Sequence, residues 1–295
     1  SSIHLSSMKI GSSEESRDVG RELAGRLPKE GLVHAFVLSD GLSVNGSALV
    51  EGILSSLPPN ITLTGGLSGD KDRFKETYVV CDGNPEQNQV AILGLYGNDL
   101  LVGCSSFGGW DPFGPERLVT KARGNVLFEL DGKSCLGLYK TYLGEHAQGL
   151  PATALLFPLS IRTPGRQSRL VRTVLSVNEE DQSMHFAGDI PEGSYAQFMK
   201  ANINRLIDGA VEAASICSSE VSVKAPELAV LISCVGRKMV LKQRVEEEVE
   251  GVQDVLGSST VLTGFYSYGE ISPSRPGELC ELHNQTMTIT TFLEK

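Results

Sequence analysis

"ITLTGGLSGD" (Ile61–Asp70) and "STVLTGFYSYGEI" (Ser259–Ile271) are the two stretches on which the fold is read. Each is a short apolar run that ends in a glycine turn, as a buried strand does. Leu63-Thr64-Gly65 matches Leu262-Thr263-Gly264 at an offset of 199, and Asn88-Gln89 matches Asn284-Gln285 at an offset of 196. The elements around the two stretches follow one order. Upstream of the first, Val19, Leu23 and Leu27 recur at helical spacing, and "LVHAFVLSDG" (Leu32–Gly41) reads as a strand. "NGSALVEGILSSLPPN" (Asn45–Asn60) then reads as a helix, capped by Asn45 or Ser47 and stopped by Pro58-Pro59. "ETYVVCDG" and "NQVAILGLYGN" follow as strands. Upstream of the second, a helix in "FMKANINRLIDGAVEAA" precedes a strand in "ELAVLISCVGR" and a helix in "LKQRVEEEVEGVQDVLG". "CELHNQTMTITTFLE" closes the chain as a strand.

The expected class is therefore α/β (α+β): two related halves, each a mixed β-sheet with helices on one face, packed sheet against sheet. A cleft between the halves is the natural ligand site. The divide is expected after residue 135, giving domains 1–135 and 136–295. Between the repeats lie an amphipathic stretch at Leu136–Leu143 and a strand pair around the turn at Asn178–Gln182.

Composition narrows the function. A net charge of -10 with no cluster of basic residues argues against nucleic acid and against anionic membranes as partners. No apolar run approaches membrane-spanning length. The first fifteen residues lack the basic and apolar regions of a secretory leader. Six cysteines without Cys-x-x-Cys spacing read as reduced, buried thiols of a cytoplasmic protein. Catalytic signatures are not found. "GGLSGD" has Asp70 where a nucleophile elbow needs glycine, and Cys280 and His283, three apart on an extended segment, point to opposite faces. The phosphate-loop patterns are missing from "GGLSGDKDRF", so a glycine turn is its plainer reading. No zinc-ligand spacing emerges from the five histidines, whereas a single axial histidine for haem needs no motif. Glu246–Glu248 and Glu250 read as the solvated face of their helix.

"GFYSYGEISPSRPGELCELHNQT" (Gly264–Thr286) gathers the remaining chemistry: Tyr266, Tyr268, Glu270, His283, Asn284 and Thr286. The mixture suits a small polar ligand held against aromatic area, or equally a core whose polar groups tie down a loop. This stretch resembles the C-terminal signature of the FIST family, the F-box and intracellular signal transduction domain. "VLSDGL", "ITLTGGLSGD", "RLVTKARGNVLFELDG", "LYKTYLG", "FAGDIPEGS" and "SCVGR" carry the resemblance along roughly residues 20–293.

The resemblance implies a sensory role: a small ligand, amino acid-like, is bound and a partner signalling protein is regulated. Some stand-alone prokaryotic relatives bind haem, sense nitric oxide and control a histidine kinase, and eukaryotic relatives are ubiquitin-ligase adaptors. About 30 residues precede the first matching strand, too few for an F-box. By matching motif, the implied ligand-binding residues are Gly65, Gly66, Asp70, Arg237, Tyr268, Glu270, His283 and Asn284. In that reading Arg237 grips a ligand carboxylate, Glu270 or Asn284 takes an ammonium or amide, and Tyr268 stacks on the ligand or caps it. His283 is the candidate haem ligand. A haem-based gas sensor and an adaptor without a small ligand are the alternatives, and no catalytic role is expected.

Overall fold

The computed structural model describes residues 1–165, 169–220 and 225–295. The first repeat runs β1 (Ser2–Lys9), α1 (Ser16–Gly25), β2 (Leu32–Ser39), α2 (Gly46–Leu54) and β3 (Thr62–Ser68). A small hairpin, β4 (Val79–Cys81) and β5 (Asn84–Glu86), then leads to β6 (Gln89–Tyr96). Next comes β7 (Leu100–Phe107), followed by a long excursion. It holds β8 (Asp111–Arg123), β9 (Val126–Leu130), β10 (Lys133–Ser134), α3 (Cys135–Leu143), β11 (Leu159–Arg162), β12 (Arg169–Arg172), β13 (Val174–Asn178), β14 (Ser183–Phe186) and β15 (Tyr195–Lys200). The chain then resumes the repeat with α4 (Ile203–Glu220), β16 (Leu228–Cys234), α5 (Val235–Leu241), α6 (Val245–Leu256), β17 (Val261–Pro273), β18 (Cys280–His283) and β19 (Met287–Glu294).

Among the described residues one nine-stranded sheet has the order β1-β6-β2-β3-β17-β16-β19-β7, with β18 on the far part of β17. The order is symmetric about the β3–β17 contact. β2 and β3 are parallel, as are β16 and β17, while β6 and β19 run antiparallel to β2 and β16. Ser68 pairs with Ser267 at this seam, again 199 residues apart. The halves are thus related as the repeat predicts, and they are also edge-joined into one sheet.

That sheet folds back on itself. β6 and β7 are six strand spacings apart in the order, about 29 Å if the sheet were flat. Only Gly97–Asp99 joins them, a link that reaches about 15 Å at most. The inner faces therefore meet, as the sheet-against-sheet expectation has it. Thr290 of β19 donates to Thr64 of β3 at 2.9 Å, and His34 of β2 meets the Phe292 ring edge-on at 6.0 Å. Strand alternation explains the layering. On the outer faces Ala35, Val37, Leu63 and Ile92 pack under Leu23, Leu49 and Ile53 of α1 and α2. Ala229, Leu231 and Ile289 pack in the same way under Ala210, Ala214 and Val252 of α4 and α6. The inner faces carry buried His34, Thr64, Ser106, Thr288 and Thr290.

The excursion forms a second, eight-stranded antiparallel sheet, β12-β11-β15-β8-β9-β14-β13 with β10 beside β9. Beyond the Asn178–Gln182 hairpin and the helix at Leu136–Leu143, the sequence does not announce it. β8 carries Pro112, Gly114 and Pro115, which read as turns, and its pairing with β9 slips register twice. On either side of residue 135, Leu127 and Leu130 share a core with Leu136 and Tyr139.

Candidate functional site

The second sheet abuts the end of the sandwich where β2, β3 and β16 terminate. Two adjoining cavities lie between them, of about 210 Å³ and about 20 Å³. Phe74, Leu175, Ala187 and Tyr268 border both. The first sheet supplies the aromatic wall, and β13 with the segment after β14 supplies the aliphatic one.

The aromatic wall begins with the bulge of β17. Its pairing with β3 shifts between Ser267 and Gly269, which sets Tyr268 apart from Tyr266. Tyr266 lies instead by Glu248, with the Lys238 ammonium 4.3 Å from its ring centre. The Tyr268 hydroxyl donates to Asp70 Oδ1. That carboxylate also accepts the backbone N–H groups of Phe74 (3.0 Å), Lys75 (3.1 Å) and Glu76 (3.2 Å). Burial alone would raise the pKa of Asp70, but these donors outweigh it and hold it at about 2. The Tyr268 hydroxyl moves the other way, pushed up to about 12 by burial and by its bond to Asp70. The result is a fixed anion that clamps the loop after β3.

The clamp has a cost. Phe74 sits at φ 48°, in the left-handed region that bulky residues avoid. Its ring is 42% exposed and stacks on Tyr268 at 4.5 Å with an 8° interplanar angle. A strained backbone thus holds a half-exposed ring against a second ring beside the cavities.

The smaller cavity is also lined by Cys234, Val235 and Gly236, where β16 passes into α5, with Ser267 and Thr173. Burial pushes the Cys234 thiol far up, which makes it a poor nucleophile. The buried Thr173 hydroxyl has no protein partner. At the mouth, Asn45 caps α2 by accepting from Ala48 N–H at 3.0 Å and donates to Asp189 Oδ1 at 3.2 Å. Asn125 donates to Phe186 O at 2.8 Å.

Of the eight residues implied by motif, Tyr268 borders the cavities and Asp70 stands directly behind it. The others lie inside the first sheet or, for Arg237, in its helical layer. Gly65 and Gly66 are inside β3. Arg237 is fully buried: it donates to Gly108 O (2.6 Å), Leu206 O (2.7 Å) and Glu248 Oε2 (2.8 Å), so the carboxylate it grips belongs to this chain. Glu248 is accordingly buried, unlike the solvated face read for its run of glutamates, because Arg237 and Ser233 are its partners. Glu270 accepts from the Ser267 and Thr286 hydroxyls, and burial pushes its pKa up to about 8. Asn284 donates to Tyr268 O at 3.3 Å, which braces the bulge, while its Oδ1 has no partner. His283 Nε2 donates to Ser272 O at 2.8 Å, and burial lowers its pKa to about 4. Cys280 contacts Leu63 O instead of His283.

Sequence reasoning did not select Phe74, Thr173, Leu175, Ala187 or Asn45 for the site. Phe74 carried a faint signal, as an aromatic set among the charged residues of its loop. The others depend on where the second sheet docks.

The haem reading has a direct test in the cavity walls. No histidine borders any of the cavities described, and His283 spends Nε2 on a carbonyl. The residues present do not fit an axial haem ligand at His283. A more apolar groove of about 270 Å³ beside Val249, Phe265 and Met287 is lined by Tyr266 but by none of the eight residues implied by motif. Among the described residues no helix is long and apolar enough to cross a membrane. No group of three His, Cys, Asp or Glu side chains among them is placed to hold a metal.

An uncharacterised protein of Methanocaldococcus jannaschii is 25% identical over 225 residues, 71% of this chain and 41% of that protein. The chain therefore spans less than half the length of this relative. A crystal structure of cyanuric acid hydrolase from A. caulinodans aligns over 99% of both chains at 10% identity, with a TM-score of 0.22, too low to carry an argument. The family model of the FIST N domain matches residues 1–133 and that of the FIST C domain residues 135–273. Such domains are associated with sensory signal transduction. Matched along nearly its whole length by the two models in succession, the chain belongs to the FIST family.

Proposed function

We propose that this protein is a sensor that admits a small molecule to the crevice between its two sheets and passes occupancy to a partner signalling protein. The observation that carries the reading is the Phe74–Tyr268 stack, held by Asp70 on strained backbone at the crevice mouth. A ligand between this wall and Leu175 displaces or orders the Phe74 loop. The loop, exposed at Phe74 and Tyr78, is the surface a partner reads. Such a ligand shifts the balance of loop states only as far as it prefers one of them. A histidine kinase is the partner class that the family resemblance puts first.

The test is a thermal-shift screen of the purified chain with amino acids, small carboxylates, nucleosides and amides. A compound at 100 times its Kd adds roughly 2.7 kcal/mol, which raises Tm by several degrees. The expected hit raises Tm in the wild type and loses most of its effect in Tyr268→Ala and Phe74→Ala. A hit indifferent to both variants moves the site elsewhere. A chain that answers only to protein partners is the adaptor of the alternative reading.

A further inference from the structure

Resting on the sensor reading above, we infer that the crevice selects an uncharged, planar molecule with a hydrogen-bonding edge, an aromatic amide or a neutral nitrogen heterocycle, and rejects zwitterionic amino acids.

The walls carry the argument. Among the described residues, no Lys, Arg, Asp, Glu or His borders either adjoining cavity. The nearby charges stand behind the walls and are already engaged. Asp70 is held by Tyr268 and three N–H groups. Arg172 is buried behind Gly188 and donates to Asp189 O at 3.1 Å and Leu282 O at 2.9 Å. Asp189 accepts from Asn45. An ammonium or carboxylate entering here gives up its water and meets no counter-charge, which is the costly case. A neutral ring escapes that penalty.

Shape points the same way. The stacked Phe74 and Tyr268 rings border the same space as Leu175 and Ala187, so it offers aromatic and aliphatic area to a planar ring. The polar groups within reach are neutral. Thr173 borders the smaller cavity, which has room for little more than one polar atom, and its buried hydroxyl is without a protein partner, so a ligand edge that reaches it can give or accept one bond. An amide or lactam edge matches it.

Benzamide and benzoate separate charge from shape, because they share ring and outline. Binding of benzamide, nicotinamide, uracil, benzoate, phenylalanine and alanine to the intact chain is measured by ligand-observed NMR and calorimetry. The expected result is binding of at least one neutral planar probe, with benzoate and both amino acids at least tenfold weaker. Thr173→Val lowers its affinity about threefold to tenfold, the range of one lost neutral hydrogen bond. Ala187→Trp, which fills the aliphatic wall, abolishes it. If Ala187→Trp fails to fold, Leu175→Trp is the substitute. Benzoate or an amino acid that binds as tightly as the neutral probes, and is blocked by the tryptophan, overturns the ligand class and leaves the sensor site standing. Neutral binding that the tryptophan leaves intact overturns the placement. No binding by any probe overturns both the ligand class and the sensor reading at this crevice.

Discussion

Burial keeps Glu270 protonated well past the pH at which an exposed glutamate ionises. Its pKa moves from an ordinary 4.5 to about 8, chiefly by desolvation, with the Ser267 and Thr286 hydroxyls opposing. The folded state then holds a proton that the unfolded chain has lost. Stability from this group is full below about pH 4.5 and is lost as pH rises toward 8, by about 1.4 kcal/mol per unit crossed. His34 and His283 act in the opposite sense: burial lowers them to about 3 and about 4, and their contribution is lost as pH falls below 6.5. Comparing the wild type with Glu270→Gln isolates the first effect from the second. The difference in Tm is expected to grow in favour of Gln between pH 5 and 8. Parallel curves would show that Glu270 is already ionised. Residue types in Gly264–Thr286 announced polar work, and the polar work is there, but most of it is internal. Arg237, His283 and Asn284 bond to their own chain, and sequence does not distinguish a residue that awaits a ligand from one that a neighbour has already satisfied.

The strand ending in Leu-Thr-Gly is the element that both halves share, and its glycine is needed for one reason in both. At Gly65, φ 151°, a Cβ would lie 1.9 Å from Val37 O on the parallel neighbour. At Gly264, φ 157°, it would lie 1.8 Å from Leu231 O on the equivalent neighbour. Gly65→Ala and Gly264→Ala are each expected to cost roughly 1–3 kcal/mol, the range for forced overpacking, read as loss of denaturant midpoint without change of slope. An unchanged midpoint in either would mean that the strand pair opens freely there. The repeat was legible because this contact preserves its motif. The eight-stranded sheet was hidden because short strands with prolines and register slips leave no alternation to count.

At the scale of the whole molecule, three residues between β6 and β7 force the sheet to close, and its interior is hydroxyl-rich. The Thr64–Thr290 bond joins the two halves across that interior. Thr64 Oγ1 also bonds the buried His34 Nε2 at 2.9 Å. Thr64→Val therefore strands both that ring nitrogen and the Thr290 hydroxyl and is expected to cost about 1–3 kcal/mol, Thr290→Val about 1 kcal/mol or less, and the double variant about as much as Thr64→Val alone. A double-mutant cycle by chemical denaturation measures the coupling, and simple additivity of the two losses would show that the pair does not interact. Sequence gave the repeat and hence the facing sheets, but the excursion that completes the crevice needed three dimensions.

The hydroxyl layer has a mechanical meaning. Interlocked aliphatic side chains must separate before one layer passes over another, but a threonine trades one oxygen for the next by turning a single torsion. The Thr64–Thr290 bond is such a contact, so the two facing layers can adjust to each other there by a change of rotamer without opening a void.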